Sequence, residues 1–479
     1  MPRSFTTPQG QTLTLDDSQD TSVTNLLEIL QTPGSEATLA GAAGCGKTVL
    51  MHVVQSEWPG PVLLLAPTGK AANRLAQTTG RTVKTIHSAV FKTVEEQENT
   101  GSRREQLLFG EPETPKGVLP RTLVIVDEAS MVNERLADVL RQVIFAVGAR
   151  ILWVGDHEQL PPVEGRWGAR LDCPTATLTT VHRQALESPV LELATLIRQG
   201  KAGSFSKWGD EVKRIHPSTI EDAVEWSEEG RALESLAAFG PADTKLPTRV
   251  LLTWTNKIRQ QANRLTRLHR GYAKGVVQQG ETLIATFNNH SLGRMNGELV
   301  EVSEVEECPE LTECLGTLVQ WVTETEQATG RETRFLVIPA TFDAYHPRKS
   351  DRQIYRDAWK PLWAANRPKP DPKTGEMPES AYQLLDRMDW SWDDLRRWRD
   401  TSKAKGLQAT WGYCLTVHKS QGSQWDEVGF ISCPQFRSYE DKDFKRRFTY
   451  TAVTRAAERF TAFMLRVVPD YRRANPYGD

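Results

Sequence analysis

The sequence predicts an α/β protein made of two parallel sheets flanked by helices, the second of them interrupted by an insertion. Three observations predict it. Short apolar runs ending at turn residues (ATLAG, VLLLAP, TLVIVDE, ILWVGD) alternate with helical stretches through residues 37–156, the pattern of buried strands joined by crossover helices. A second such set begins at RVLLTWTN (249–256) and resumes at ATWGYCLT, EVGFIS and FTAFMLRV, within residues 409–467. Between its parts lie the β-like runs ETLIATF, GELVEVSEV, CLGTLVQWV and TRFLVIPA, which read as a small antiparallel barrel or sheet.

Taken in chain order, ATLAG leads into GAAGCGKT (41–48) and then a helical stretch, the strand, glycine-rich loop and helix of a phosphate-binding turn. VLLLAP closes before the helical residues 69–79. The segment VEEQENTGSRREQLLFGE (94–111) carries turn residues at 99–102 between flanks able to pair, so it reads either as a β-hairpin or as a solvated loop. TLVIVDE and ILWVGD supply two further strands, and residues 257–269 form an amphipathic follower to RVLLTWTN. Trp359, Trp363, Trp390, Trp392 and Trp398 flank the proline-rich RPKPDPKTGEMPES (367–380). Two helical arms joined by a stiff loop are expected there, the tryptophans forming their core or bracing the hairpin. No repeat of fixed period is present.

At 479 residues, 39% hydrophobic and 25% charged, the chain has the make-up of a multi-domain globular protein. The opening MPRSFTTPQGQTLTLDD lacks an apolar signal core, and VLLLA and ILWV are of strand length, so a soluble cytoplasmic protein without membrane attachment is expected. Cys45, Cys173, Cys308, Cys314, Cys414 and Cys433 form no CxxC pair, which points to reduced thiols, with neither disulfide nor zinc. The formal charge of -2 exerts no global pull on nucleic acid, so any such binding must come from a local groove.

The chemistry concentrates in a few motifs. In GAAGCGKT the backbone N–H groups of Gly41, Ala42, Ala43, Gly44, Cys45 and Gly46 can curl around phosphate. Lys47 then meets the β and γ oxygens of ATP, and Thr48 offers its hydroxyl to Mg²⁺ at a helix start. Asp127 and Glu128 end an apolar run, where Asp127 can hold the metal while Glu128 orients and deprotonates water. Acidic pairs after strands are common; their place behind a phosphate loop gives this pair its meaning. Gln159 in GDHEQLPP is placed to sense the γ-phosphate or its water, and Gln19 in LTLDDSQ reads an adenine edge or simply faces solvent. Arg183 in TTVHRQ and Arg455 in YTAVTRA are candidate arginine fingers, each worth about a thousand-fold in rate. The alternative is a surface ion pair, the usual fate of one residue among 59 basic ones.

LTLDDSQ, GAAGCGKT, APTGKAANRL, KTIHSAV, VIVDEASM, GDHEQLPP, TTVHRQ, TWTNK, MNGELV, TVHKSQG and YTAVTRA occur in that order, and together they resemble superfamily 1 helicases of the RecD and Dda type over most of the chain. Length and the placing of insertions resemble the phage Dda-like members most. The resemblance implies two RecA-like P-loop lobes, residues 1–86 with 119–186 and residues 187–278 with 405–479. It also implies a pin hairpin at 87–118 and an SH3-like domain at 279–404 whose helical tower spans about 339–404. Gln159 followed by LPP favours the RecD-like branch over the UvrD-like one, and members with this pattern move 5′ to 3′ on single-stranded DNA.

Carried over residue by residue, Pro67, Thr68, Thr85 and His87 would grip DNA from the first lobe. Asn256, Lys257, Thr416 and His418 would answer from the second; Gln421 and Gly422 would line the nucleotide, and Phe109 would tip or support the pin. Read without the resemblance, His87 and His418 are satisfied core histidines, and Phe91 and Trp254 either stack on bases or pack in the core. The implied protein is a monomeric ATP-dependent DNA helicase of phage or bacterial replication, recombination or repair. Its substrates would be single-stranded and forked DNA, with single-strand-binding or replication proteins as candidate companions. Two other readings stay open: a translocase or RNA remodeller built on the same engine, and a silent clamp for single strands. Lys47, Glu128, Gln159 and Arg455 together argue against the clamp, and the lack of an LSGGQ-like segment disfavours an ABC-type ATPase.

Overall fold

The computed structural model of the chain describes residues 3–6, 12–91, 114–115, 117–162, 165–180, 188–237, 248–287, 289–292, 294, 297–325, 331–342, 351–365 and 379–466. It divides into two compact units, Met1–Ile258 with Leu415–Asp479, and Arg259–Cys414.

The first unit contains two parallel sheets. One has the strand order Val83–Thr85, Val62–Ala66, Leu123–Val126, Arg150–Gly155, Glu36–Gly41, Ala176–Leu178. Leu123–Val126 and Arg150–Gly155 are buried along their whole length, as strands covered by helices on both faces must be. Parallel pairing sets Ala40 against Gly155 and Val126 against Trp153. The loops leaving these three strands therefore emerge side by side at one sheet edge, where open α/β sheets bind ligands. In the other sheet Arg249–Thr253, Trp425–Ser432, Ala456–Leu465 and Val212–Ser218 lie side by side, again all parallel.

Local chemistry fixes the helix ends. Asp16 and Gln19 form a capping box at the start of Asp17–Leu30. Thr68 caps Gly69–Thr79, which ends at Gly80 in the left-handed region. Asp441 caps Lys442–Val453 by accepting from Phe444 N, which fixes the start of the helix facing the first sheet's loops.

The second unit holds two three-stranded antiparallel sheets, Leu299–Glu301, Thr282–Ala285, Ala409–Trp411 and Glu304–Glu307, Gln320–Thr325, Glu332–Val337. They share one core that includes Leu283, Val300, Val322, Phe335 and Trp411. ATWGYCLT splits between two sheets: Cys414–Thr416 joins the second parallel sheet beside Arg249–Thr253, as expected, whereas Ala409–Trp411 pairs antiparallel with Thr282–Ala285. The reason is packing, because Trp411 is 1% exposed within that core and Phe342 lies edge-on to it. The unit also takes in most of helix Asn256–His269. Its buried polar side chains bond inward, Arg259 to Thr410, Asn263 to Trp411 O, and Arg267 to Glu281 at 2.6 Å. The tryptophan-rich helices Asp351–Ala365, Glu379–Met388 and Trp392–Lys405 close around buried Trp359, Leu362 and Leu395, with Trp363, Trp390 and Trp398 packed against them. Among the described residues no helix is long and apolar enough to cross a membrane.

Candidate active site

Strand Glu36–Gly41 runs into the phosphate loop and helix Lys47–Glu57. Gly44 and Gly46 have φ of 79° and 83°, left-handed values that a side chain would strain. Cys45 anchors the turn from inside, its buried thiol donating to Ala42 O at 2.9 Å. Lys47 Nζ donates to Gly41 O at 2.7 Å and Ala42 O at 2.9 Å, while Thr48 stands exposed in the first helical turn.

Asp127 and Glu128 follow strand Leu123–Val126. Glu128 holds φ 51°, one of three positive values outside glycine among the described residues. Such backbone conformations cost about 1–3 kcal/mol and persist where the surroundings impose them. Burial, and next the Glu128 carboxylate, raise the Asp127 carboxyl above its usual range, against the pull of Lys47 and Arg74. Gln159 is 5% exposed. Its Oε1, like the Ser130 and Ser423 hydroxyls, is a buried polar atom without a hydrogen-bond partner. Unpaired buried polar groups are costly, so each of these atoms suits a polar partner.

The second parallel sheet supplies the facing wall. Arg455 is 3% exposed, and its guanidinium donates to Thr451 O, Ser423 O and Thr454 Oγ1. Burial lowers its pKa and the Glu128 carboxylate works against that, so the two lie within electrostatic reach. Lys47, Asp127, Glu128 and Arg455 therefore form one electrostatically linked group. Gln421, expected at the nucleotide, donates from Nε2 to Leu160 O at 3.1 Å. Gly422, at φ 72°, packs on the start of helix Gly69–Thr79, where an added Cβ would come 3.2 Å from Ala71 Cβ and Thr68 Oγ1. Gln19 sits 5% exposed, with its Oε1 accepting from Asp16 N in the capping box.

Sequence reasoning missed the contacts that fasten the Gln159 loop. Leu160 N donates to Thr451 Oγ1 at 3.0 Å, Arg446 to Glu158, and Arg447 to His157 O. Tyr450 and Asp156 meet at 2.8 Å, and Arg74 donates to Gln424 Oε1 at 2.8 Å. Burial opposes ionisation of Glu158, but hydrogen bonds from His157 and Arg446 outweigh it and hold the carboxyl at about 2. A depressed carboxyl stabilises the folded state above its unfolded value of 4.5, and the effect is lost as pH falls toward 2. Glu158→Gln is accordingly expected to lower the melting temperature at pH 7, with the gap to the parent protein closing below pH 4.5. An equal gap at pH 7 and pH 3 would remove the ionic part of this latch.

The strand-binding candidates fall into two groups. Thr68 and Thr85 serve as helix caps, accepting from Ala71 N and Ser88 N, while Pro67 and His87 are partly exposed. The His87 and Phe91 rings stack at 5.7 Å, and Phe91 also packs against the core of the first sheet. On the other wall Asn256 and Lys257 are exposed at a helix start, and Thr416 is 8% exposed. His418 lies near Phe448, and burial lowers its pKa. Trp254 packs against Phe436 and the exposed Tyr439 at 5.6 and 5.4 Å. Arg183, Phe109 and most of the expected hairpin fall outside the described residues.

A family profile described as an AAA domain matches residues 14–219, and one described as a UvrD-like helicase C-terminal domain matches residues 412–461. The chain is 32% identical over 281 residues to the ATP-dependent RecD2 DNA helicase of Deinococcus radiodurans, covering 56% of this chain and 36% of that protein. It is 25% identical over 472 residues to the ATP-dependent DNA helicase dda of Enterobacteria phage T4, covering 92% of this chain and 97% of that protein. A crystal structure of Pif1 helicase from Bacteroides with ADP-AlF3 and ssDNA aligns over 96% of each chain at 16% identity and TM-score 0.47. The chain thus spans about a third of the RecD2 relative and nearly all of the phage one.

Proposed function

Because this chain belongs to the RecD- and Dda-like superfamily 1 helicases, we propose that it is an ATP-dependent DNA helicase that moves 5′ to 3′ along a single strand and unwinds duplex ahead of it. The observation that carries this reading is the cleft: Lys47, Asp127 and Glu128 on one wall lie within electrostatic reach of each other or of Arg455 on the opposite wall. A protein that only stored a nucleotide would not need the second wall.

The residues fit a magnesium nucleotide, since Thr48 stands exposed at a helix start, Asp127 closes a strand, and Gln159 offers a buried unpaired acceptor. Thr48 and Asp127 would hold Mg²⁺, which when bound neutralises charge on the β and γ oxygens. Glu128 receives a proton from the attacking water, and Gln159 Oε1 orients that water by accepting its other hydrogen. Lys47 and Arg455, joined by Arg183, neutralise the transferring phosphoryl group. Opening and closing of the cleft then alternates the grip of Pro67, Thr68, Thr85 and His87 with that of Asn256, Lys257, Thr416 and His418 on sugar and phosphate, contacts that ignore base sequence. Residues 94–111 form the pin on this reading. Base-pair steps average about 1.4 kcal/mol of stacking, so the pin need only prevent re-pairing. The protein works as a monomer in a bacterial or phage-infected cytoplasm.

The test is unwinding of DNA forks bearing only a 5′ or only a 3′ tail. Opening of the 5′-tailed fork alone is expected. Preference for the 3′ tail would reverse the assigned direction, and opening of RNA forks alone would move the substrate to RNA. Absence of strand-stimulated ATP hydrolysis would leave a clamp.

A further inference from the structure

We infer that Tyr450 is a positioning residue for phosphoryl transfer, one hydroxyl holding the phosphate loop and the Gln159 turn in register with Arg455; the inference rests on the reading of the cleft as an ATPase. Tyr450 is 1% exposed. Its hydroxyl donates to Asp156 Oδ2 at 2.8 Å and accepts from Ala43 N at 3.0 Å. One atom on the second wall thereby joins two separate loops of the first.

Each end of this bridge leads to chemistry. Ala43 belongs to the loop whose Gly41 and Ala42 carbonyls accept from Lys47. Asp156 uses its other oxygen to accept from Glu158 N at 2.9 Å, and its backbone carbonyl accepts from Gln159 N at 3.2 Å. That carboxylate therefore shapes the turn carrying Gln159 while tying it to Tyr450. Tyr450 lies in helix Lys442–Val453, which ends two residues before Arg455. Arg446 and Thr451 of the same helix also grip the Gln159 loop. The helix that delivers Arg455 is thereby tied to the Gln159 turn and to Ala43 when the two walls are together. Phenylalanine would fill the same space, so the hydroxyl is present for its two hydrogen bonds. Removing it leaves a buried N–H and a buried carboxylate oxygen without that partner.

The full-length chain is assayed for ATP hydrolysis at saturating single-stranded oligo-dT, with binding of a fluorescent ADP analogue and thermal melting as companion readouts. Tyr450→Phe is expected to lower kcat about 10- to 100-fold while the KM for ATP moves less than about threefold. Asp156→Ala is expected to slow turnover at least as much, since it also frees Glu158 N, and the double variant to be no slower than the worse single one, because both break the Tyr450–Asp156 bond. Asp156→Asn keeps one of the two acceptor oxygens and replaces the other with a donor, so its kcat should fall between those of the parent and Asp156→Ala. If Tyr450→Phe fails to fold, Asp156→Ala against Asp156→Asn makes the same comparison. A Tyr450→Phe protein that hydrolyses at the parental rate, with only its melting temperature lowered, overturns the inference and leaves the ATPase reading intact. Fully additive losses in the double variant overturn it too. A parent protein that hydrolyses no ATP removes the ATPase reading and this inference with it.

Discussion

Lys47→Ala is expected to abolish unwinding and to lower strand-stimulated ATP hydrolysis about a thousand-fold or more, while single-strand binding by anisotropy stays within about threefold of the parent. The separation of effects follows from where the side chain sits. Among the described residues its ammonium donates to Gly41 O and Ala42 O, and both carbonyls belong to the phosphate loop. None of the strand-binding candidates depends on it. The fold should survive, since Lys47 is partly exposed and helix Lys47–Glu57 is held by buried Leu50, Met51, Val53 and Val54. What disappears is the positive charge that draws on Asp127 and would meet the β and γ oxygens. Hydrolysis within tenfold of the parental rate would show that this loop is not where the reacting phosphates lie.

The parts of the site legible in the sequence are those whose chemistry depends on neighbours along the chain. GAAGCGKT specifies its own turn through glycines at positive φ, and the apolar run Leu123–Val126 places Asp127 and Glu128 by strand length alone. The capping role of Gln19 is also local, an Asp16-x-x-Gln19 box. Bonds between residues about 290 positions apart leave no local pattern. Tyr450 with Asp156, Thr451 with Leu160 and Arg446 with Glu158 are of this kind. The two parallel sheets were visible in runs of buried strand. The partner of Ala409–Trp411 was not, because an apolar strand reads the same whichever sheet receives it. The same ambiguity covered the Trp-rich helices, whose rings turn out to pack on one another around Trp359.

Arg455→Ala is expected to reduce strand-stimulated turnover about a thousand-fold, with ATP affinity changed by less than about tenfold. An arginine finger acts on charge that develops in the transition state, so its loss falls on kcat and spares ground-state binding. Arg455 is suited to this because the bonds it makes to Thr451 O, Ser423 O and Thr454 Oγ1 hold the guanidinium without pairing it to a carboxylate. Its charge stays available while its orientation is fixed by the helix end. Truncation also orphans buried carbonyls, a loss of about 1–3 kcal/mol of stability, so slow turnover alone would not separate catalysis from loosened packing. Arg455→Lys separates them. Lysine keeps the charge and most of the volume but loses the planar fork, so it should melt close to the parent yet recover only a small part of the turnover. Full turnover in Arg455→Lys would reduce the role to a bare positive charge. Full turnover in Arg455→Ala would mean that hydrolysis proceeds without the second wall, and the closing cleft could no longer be what links ATP to movement.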